Sequence, residues 1–143
     1  MRAISLWQPW ASAVALGNKR IETRHWATKY RGPLAIHAAK RWGSEQRAFA
    51  RVEKALGRLP GRIPLGAIVA VCRLVDCVPT EDLMAQRDAF GLRAVERLYG
   101  NYEPGRFGWI LEDIRPLPEP IGFVGKQSFF SVPDEILGTY ITK

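Results

Sequence analysis

The chain has 143 residues, 47% hydrophobic and 24% charged, with a formal net charge of +7. That balance predicts one folded domain over residues 1–143 and excludes a disordered or low-complexity chain; no apolar run approaches the roughly 18 residues of a membrane span. The charge is uneven: residues 1–58 hold twelve Lys or Arg against three Glu, a net of +9, and residues 59–143 hold nine against eleven, a net of −2. A basic half of this kind favours a polyanionic partner, nucleic acid first, through counterion release and steering; charge kept for solubility is the plain alternative.

Ile4-Ser5-Leu6 predicts a short opening strand. The first residues lack the apolar core and cleavage site of a secretory signal, so the cytoplasm is the expected compartment. Pro9 suits the first turn of a helix that sets Trp10, Ala13 and Val14 on one face and stops at Gly17. A second strand over residues 20–24 puts Arg20, Glu22 and Arg24 on one side and Ile21 and Thr23 on the other. After the turn Arg31-Gly32-Pro33, residues 34–38 read as a third strand with Leu34 and Ile36 on one side and His37 opposite, so His37 need not be a core residue.

Ser44 is a fitting N-cap for a helix reaching about residue 59, where Pro60 and Gly61 stop it. Arg47, Arg51, Lys54 and Arg58 fall within an arc of roughly 60° on this helix; Ala48, Phe49, Val52, Ala55, Leu56 and Leu59 form a separate arc that is expected to dock. Residues 66–76 are β-rich and continuous, a central strand. Cys72 and Cys77, at odd spacing in it, should point to opposite faces as buried thiols. Thr80 then caps a helix with Glu81 and Asp82 in its first turn. Residues 92–99 predict a short helix, 100–106 a loop and 107–114 a strand. Pro116, Pro118 and Pro120 argue for an edge or extended segment. Six or so strands, interrupted by two or three helices without strict alternation, predict an α+β fold: a small mixed β-barrel with helices packed outside.

The densest chemistry lies at Gly17-Asn18-Lys19-Arg20-Ile21-Glu22-Thr23-Arg24. Crowded charges must be solvated, paired or offered to a ligand. Lys19, Glu22 and Arg24 read either as an anion-binding or acid/base cluster, with Lys19 reaching phosphate, or as a surface ion-pair network of little worth. Trp7, Trp10, Trp26 and Tyr30 interleave with Lys and Arg in the same stretch, a composition suited to stacking bases and neutralising phosphates; Trp7, Trp26 and Tyr30 are the exposed candidates. The stripe of Arg47, Arg51, Lys54 and Arg58 suits a phosphate backbone or plain solvation. The run from Gly122 to Ser128 has two residues between its glycines where a Walker A loop has four, so it is no phosphate loop, though Lys126 is a candidate for the same cleft. His25 and His37 could act as general acid or base, yet no nucleophile elbow, HExxH or paired carboxylate motif is present. With two Cys and two distant His, no metal site and no cofactor is expected.

Ser5-Leu-Trp-Gln-Pro-Trp-Ala-Ser12 followed by Gly17-x-Lys19-x-x-Glu22-x-Arg24 resembles the ASCH family, named for activating signal cointegrator homology and PUA-like in fold. The similarity continues through residues 30–39, 64–70 and 107–110. It implies a β-barrel whose cleft is lined by GxKxxExR, and binding of RNA or another nucleic acid as the usual role; RNA is expected ahead of DNA here. On that reading Lys19 and Arg24 bind phosphate or a base edge, Glu22 fixes Arg24 or accepts a base amino group, and Trp7, Gln8 and Trp26 shape the pocket. The resemblance also admits metal-independent hydrolysis, of RNA or of N4-acetylcytidine, with Lys19, Glu22, His37 and Lys126 as candidate catalytic residues. The deacetylating members resemble this chain at Lys19 but carry threonine where Glu22 stands, and their later carboxylate has no convincing match here, Asp76 and Glu81 being candidates by position only. A monomer is the expected state, and capture of an acidic peptide in the cleft is a third possibility.

Overall fold

A computed structural model describes residues 1–59 and 62–138. In chain order these form β1 (Arg2–Leu6), α1 (Trp10–Ala15), β2 (Ile21–Arg24), β3 (Gly32–Ala38), α2 (Ser44–Ala55), β4 (Ala67–Pro79), α3 (Thr80–Ala85), α4 (Ala94–Leu98), β5 (Phe107–Gly122), β6 (Phe130–Ser131) and α5 (Asp134–Leu137). The strands make one six-stranded mixed sheet in the order β2-β5-β4-β3-β1-β6. Only β1 and β3 run parallel, Ser5 opposite His37; the other pairs are antiparallel. A parallel pair needs a crossover. Here the crossover carries α1 onto the sheet, burying Ala11 and Val14 beside Ile4, Leu34, Ile36 and Trp109, and sends β2 to the far edge.

The α+β barrel expectation is met in its strands and helices, while the hydrogen-bonded ladder stays open, with β2 and β6 as its edges. Side chains span the gap. Trp109 of β5 stacks on Phe129, next to β6, at 5.4 Å between ring centroids, and Trp26 meets both rings edge-on at 4.7 and 5.9 Å. Arg24 of β2 donates Nη2 to the Ser5 carbonyl of β1 at 3.0 Å. The two ends of the sheet therefore meet in a seam of aromatic rings and one guanidinium.

A second cluster, Ala3, Ala35, Ile68, Val71, Phe130 and Leu137, occupies the opposite face under α5, and a third packs α3 through Leu83 against Ile21 and Val78. The strand through 107–114 continues to Gly122 along β4, with Pro116 opposite Ala70. Beyond Ile110 no strand among the described residues pairs with its other edge, so the three prolines, which lack the donor a ladder needs, lie on an edge as expected.

Four expectations fail. Thr80 is the first residue of α3 and Pro79 its N-cap, the Thr80 hydroxyl donating instead to the Glu103 carbonyl at 2.7 Å. In α2, Gly43 is the N-cap rather than Ser44, Gln46 Oε1 accepts the Gly43 N–H at 2.9 Å, and the helix ends at Ala55; the stop assigned to Pro60 and Gly61 lies outside the described residues. The buried side of α2 holds Gln46, Ala50 and Glu53, while Val52 and Leu56 are 57% and 56% exposed. Hydrophobic phase misassigned that face because a paired carboxylate, Glu53, takes the inward position. Finally, Cys72 and Cys77 pack against the same cluster instead of opposite faces. Register shifts between Val71 and Arg73 and between Leu74 and Asp76 break the alternation between them. Both thiols are free, and burial pushes Cys72 up to about 12.

Candidate nucleic-acid interface

Local geometry delivers the motif to the seam. Gly17 takes φ +79°, the left-handed stop of α1, and the Lys19 amide returns to the Ala13 carbonyl at 3.0 Å. This turn aims Lys19 inward: it is 0% exposed. Its Nζ donates to the carbonyls of Ile21 at 2.6 Å and Tyr99 at 2.8 Å and lies 3.3 Å from Glu22 Oε1. Two of the three ammonium protons thus go to carbonyls, and Glu22 is an ion-pair partner. The expected contact of Lys19 with phosphate is therefore corrected: it fastens β2 to the end of α4 and holds Glu22.

Glu22 in turn faces Arg24, Oε2 to Nε at 2.9 Å, close enough for an ion pair though out of line for a hydrogen bond there. The guanidinium is fixed on two sides, by this carboxylate and by the Ser5 carbonyl, and lies 5.9 Å from the Trp109 ring. Two cations thus share one carboxylate. Arg20, expected on the same face, is exposed and contributes backbone only: its N–H goes to Glu96 Oε1 at 2.7 Å and its carbonyl accepts from Leu111.

Trp26 is half-buried, its carbonyl accepting from Trp109 Nε1 at 3.3 Å; Tyr30 is half-buried, edge-on to Phe129. Both were expected to be freely exposed, and both instead build the seam wall. Arg2, which the sequence did not single out, lies 4.6 Å over the Tyr30 ring and 5.2 Å over Phe129. Trp7 is exposed as expected, at 48%, with the Arg41 guanidinium 4.7 Å over its ring. Gln8 is buried: its Nε2 donates to Ser12 Oγ and the Pro64 carbonyl, both at 2.8 Å, and its Oε1 accepts from the Ser12 N–H. It ties α1 to the segment before β4 and offers no free group to a pocket.

His37 is also buried, contrary to expectation. Its Nε2 donates to the Phe123 carbonyl at 2.7 Å, and Ser5 Oγ sits 2.9 Å from Nδ1. A carbonyl can only accept, so Nε2 carries the proton and, in the neutral ring, Nδ1 accepts from the serine hydroxyl. Gly125 presses on this ring, where a β-carbon would come within 2.5 Å of Cε1. Lys126 follows on the surface. The Ser5–His37 pair escaped sequence reasoning because 32 positions separate its members and neither carries a local motif. The parallel pairing of β1 and β3 is the signal that would have found it.

The α2 stripe contracts to Arg47, Arg51 and Lys54, all exposed. Arg58 lies past the helix end and binds Glu53 at 2.8 Å, while the Tyr99 hydroxyl also donates to Glu53. The Arg58 hydrogen bonds hold the Glu53 carboxyl below its usual range, and burial pushes Tyr99 up to about 12. Glu96 is the converse case: burial raises its carboxyl, and Oε2 has no partner. Asp76 pairs with Arg31 and Glu81 accepts from the Gly105 N–H, so neither joins Lys19. Among the described residues no cluster of His, Cys, Asp or Glu could hold a metal ion, and no helix is long and apolar enough to cross a membrane.

An open, six-stranded mixed sheet with flanking helices and a charged seam defines a PUA-like α+β domain. The ASCH domain family profile matches residues 4–120, and the chain belongs to that family. It is 33% identical over 89 residues to Activating signal cointegrator 1 of mouse and of human, a stretch covering 58% of this chain and 15% of each relative. Among solved structures, ASCH from Zymomonas mobilis superposes with TM-score 0.59 at 19% identity over 95% of this chain and 90% of that one. A tyrosine-to-phenylalanine mutant of the same protein gives 0.60 over 99% and 96%.

Proposed function

We infer that this chain binds single-stranded RNA in the seam, in preference to DNA. One observation carries the reading: the Arg24 guanidinium, pinned by Glu22 at 2.9 Å and the Ser5 carbonyl at 3.0 Å, stands in a wall of Trp26, Trp109, Phe129 and Tyr30. A pre-oriented guanidinium reads phosphate or a base edge with little ordering entropy, and aromatic edges accept bases. Arg2 adds a second cation on that wall, and Lys126, exposed three residues before Phe129, is a candidate third. Lys19 and Glu22 are positioning residues that set Arg24. Arg47, Arg51 and Lys54 supply long-range attraction from α2. The reading treats residues 1–143 as a single, monomeric, cytoplasmic domain and needs neither metal nor cofactor.

Fluorescence anisotropy with a labelled octauridine tests it. Affinity falls steeply with salt, and Arg24→Ala weakens binding about tenfold and lowers the salt slope by roughly 0.7. Binding that is indifferent to Arg24 removes the seam as the site.

A hydrolytic second reading is favoured by the Ser5–His37 pair. With Nε2 fixed on the Phe123 carbonyl, His37 Nδ1 can take the Ser5 proton as Oγ attacks the acyl carbon of a substrate such as N4-acetylcytidine, and then pass it to the leaving amine. Incubation without metal, with N4-acetylcytidine and with labelled RNA, decides it. Turnover abolished by Ser5→Ala supports the dyad; no turnover of either substrate removes it.

A further inference from the structure

Between the end of β3 and the start of β4 lies an open groove of about 550 Å³, lined by Lys40, Gly66, Gly122, Phe123 and Val124. Gly66, with φ +62°, lets the Lys40 stem lie flat on the backbone: a β-carbon there would meet Lys40 Cγ and Cε at 2.9 Å. Lys40 and Arg41 are exposed, and neither makes an ion pair among the described residues. Arg41 spends its guanidinium on the face of Trp7 instead. Val124 is 74% exposed on the groove wall, behind Phe123, whose ring stacks on Phe130. Two cations without a carboxylate partner among the described residues, a half-exposed indole covered by one of them and a groove thus lie together past the C-terminal ends of β1 and β3, a combination that stability does not require.

A chain of hydrogen bonds ties the groove wall to the seam. Arg24 holds the Ser5 carbonyl, Ser5 Oγ meets His37, and His37 holds the Phe123 carbonyl at the groove wall. Trp7 stands two residues beyond Ser5, roughly 7 Å along an extended chain, within reach of an adjacent nucleotide.

We propose that Trp7, Arg41, Lys40 and the Phe123–Val124 wall form a second nucleotide subsite, which takes the next residues of a single-stranded RNA whose first contact is at Arg24. One base stacks on Trp7, with Arg41 moving from the ring to the flanking phosphate; the Lys40 ammonium meets the following phosphate, and Val124 and Phe123 carry the next base or ribose. This rests on the RNA reading of the seam and adds a direction and a minimum length to it. An acidic peptide suits the cations but leaves the flat Trp7 face unused.

Length dependence separates the two proposals. Anisotropy is measured for labelled uridine monophosphate and octauridine with the parent chain, with Trp7→Ala and with the double change Arg41→Ala and Lys40→Ala, each checked for an unchanged thermal midpoint. The parent binds the octamer more tightly, Trp7→Ala weakens the octamer about fivefold or more with the mononucleotide unchanged, and the double variant lowers the octamer salt slope by about 1.4. Equal loss for both lengths, or loss for neither, overturns the subsite and leaves the seam standing. A parent that binds neither ligand, or octamer binding displaced by a polyglutamate peptide while the mononucleotide stays bound, overturns the subsite as an RNA site; only the first of these also overturns the seam.

Discussion

Lys19→Met separates a structural lysine from a ligand-binding one. Methionine keeps the length and the apolar stem and deletes only the ammonium. The carbonyls of Ile21 and Tyr99 and the Oε1 of Glu22 then face a thioether in a site with no solvent exposure. Removing one partner of a buried charged network costs about 3–5 kcal/mol, and orphaned buried carbonyls alone account for about 1–3 each. Glu22 retains Arg24, which places the expectation near the lower end, about 3 kcal/mol. For a chain of this length each kcal/mol moves Tm by about 4 °C, so the midpoint drops by about 12 °C. Calorimetry and urea titration read the loss, and RNA affinity of the fraction that remains folded falls only through displaced Arg24. A variant that melts within about 2 °C of the parent yet loses RNA binding refutes the reasoning, because the ammonium would then be in contact with the ligand.

Three further substitutions follow. Glu53→Gln weakens the Arg58 pair, and because the folded-state carboxyl sits below its usual value, its stabilisation is present above the unfolded pKa near 4.5 and lost as pH falls; the variant is about 1–3 kcal/mol less stable at pH 7 and nearer the parent in acid, by urea titration at both pH values. Glu96→Gln acts oppositely. Burial raises this carboxyl, so its favourable contribution is full below the unfolded value of 4.5 and lost as pH rises through the folded one; amide replacement flattens that fall, read from Tm against pH, while keeping an acceptor for the Arg20 N–H. Gly125→Ala drives a β-carbon into the His37 ring and costs about 1–3 kcal/mol by thermal melt, and the Gly125→Ala/His37→Ala pair recovers part of that loss relative to His37→Ala alone.

Much of this protein was legible along the chain because its cues are local. Gly17 stops α1 through a backbone conformation that glycine adopts freely, the prolines at 116, 118 and 120 mark an edge by lacking donors, and alternation located β1, β2 and β3. Family membership was legible too, since the spacing from Ser5 to Arg24 is itself a sequence property. Where local cues conflicted with long-range pairing, the reading failed. The α2 arc pointed Val52 and Leu56 inward, but Glu53 found Arg58 and Tyr99 and turned the helix.

The amino-acid sequence by itself determined which residues cluster: a basic first half, a lysine, glutamate and arginine at fixed spacing, and aromatics among them. Tertiary structure decided what each does. Lys19 became a buried fastener because Tyr99, 80 positions away, brings its carbonyl to 2.8 Å. Arg24 came to stand in the seam because β2, one edge of the sheet, approaches β1, the neighbour of the other edge, across a gap that the backbone ladder leaves open. Spacing sets which charges are near one another; only the path of the backbone sets which of them run out of partners, and a charge without enough partners is the one left for a ligand.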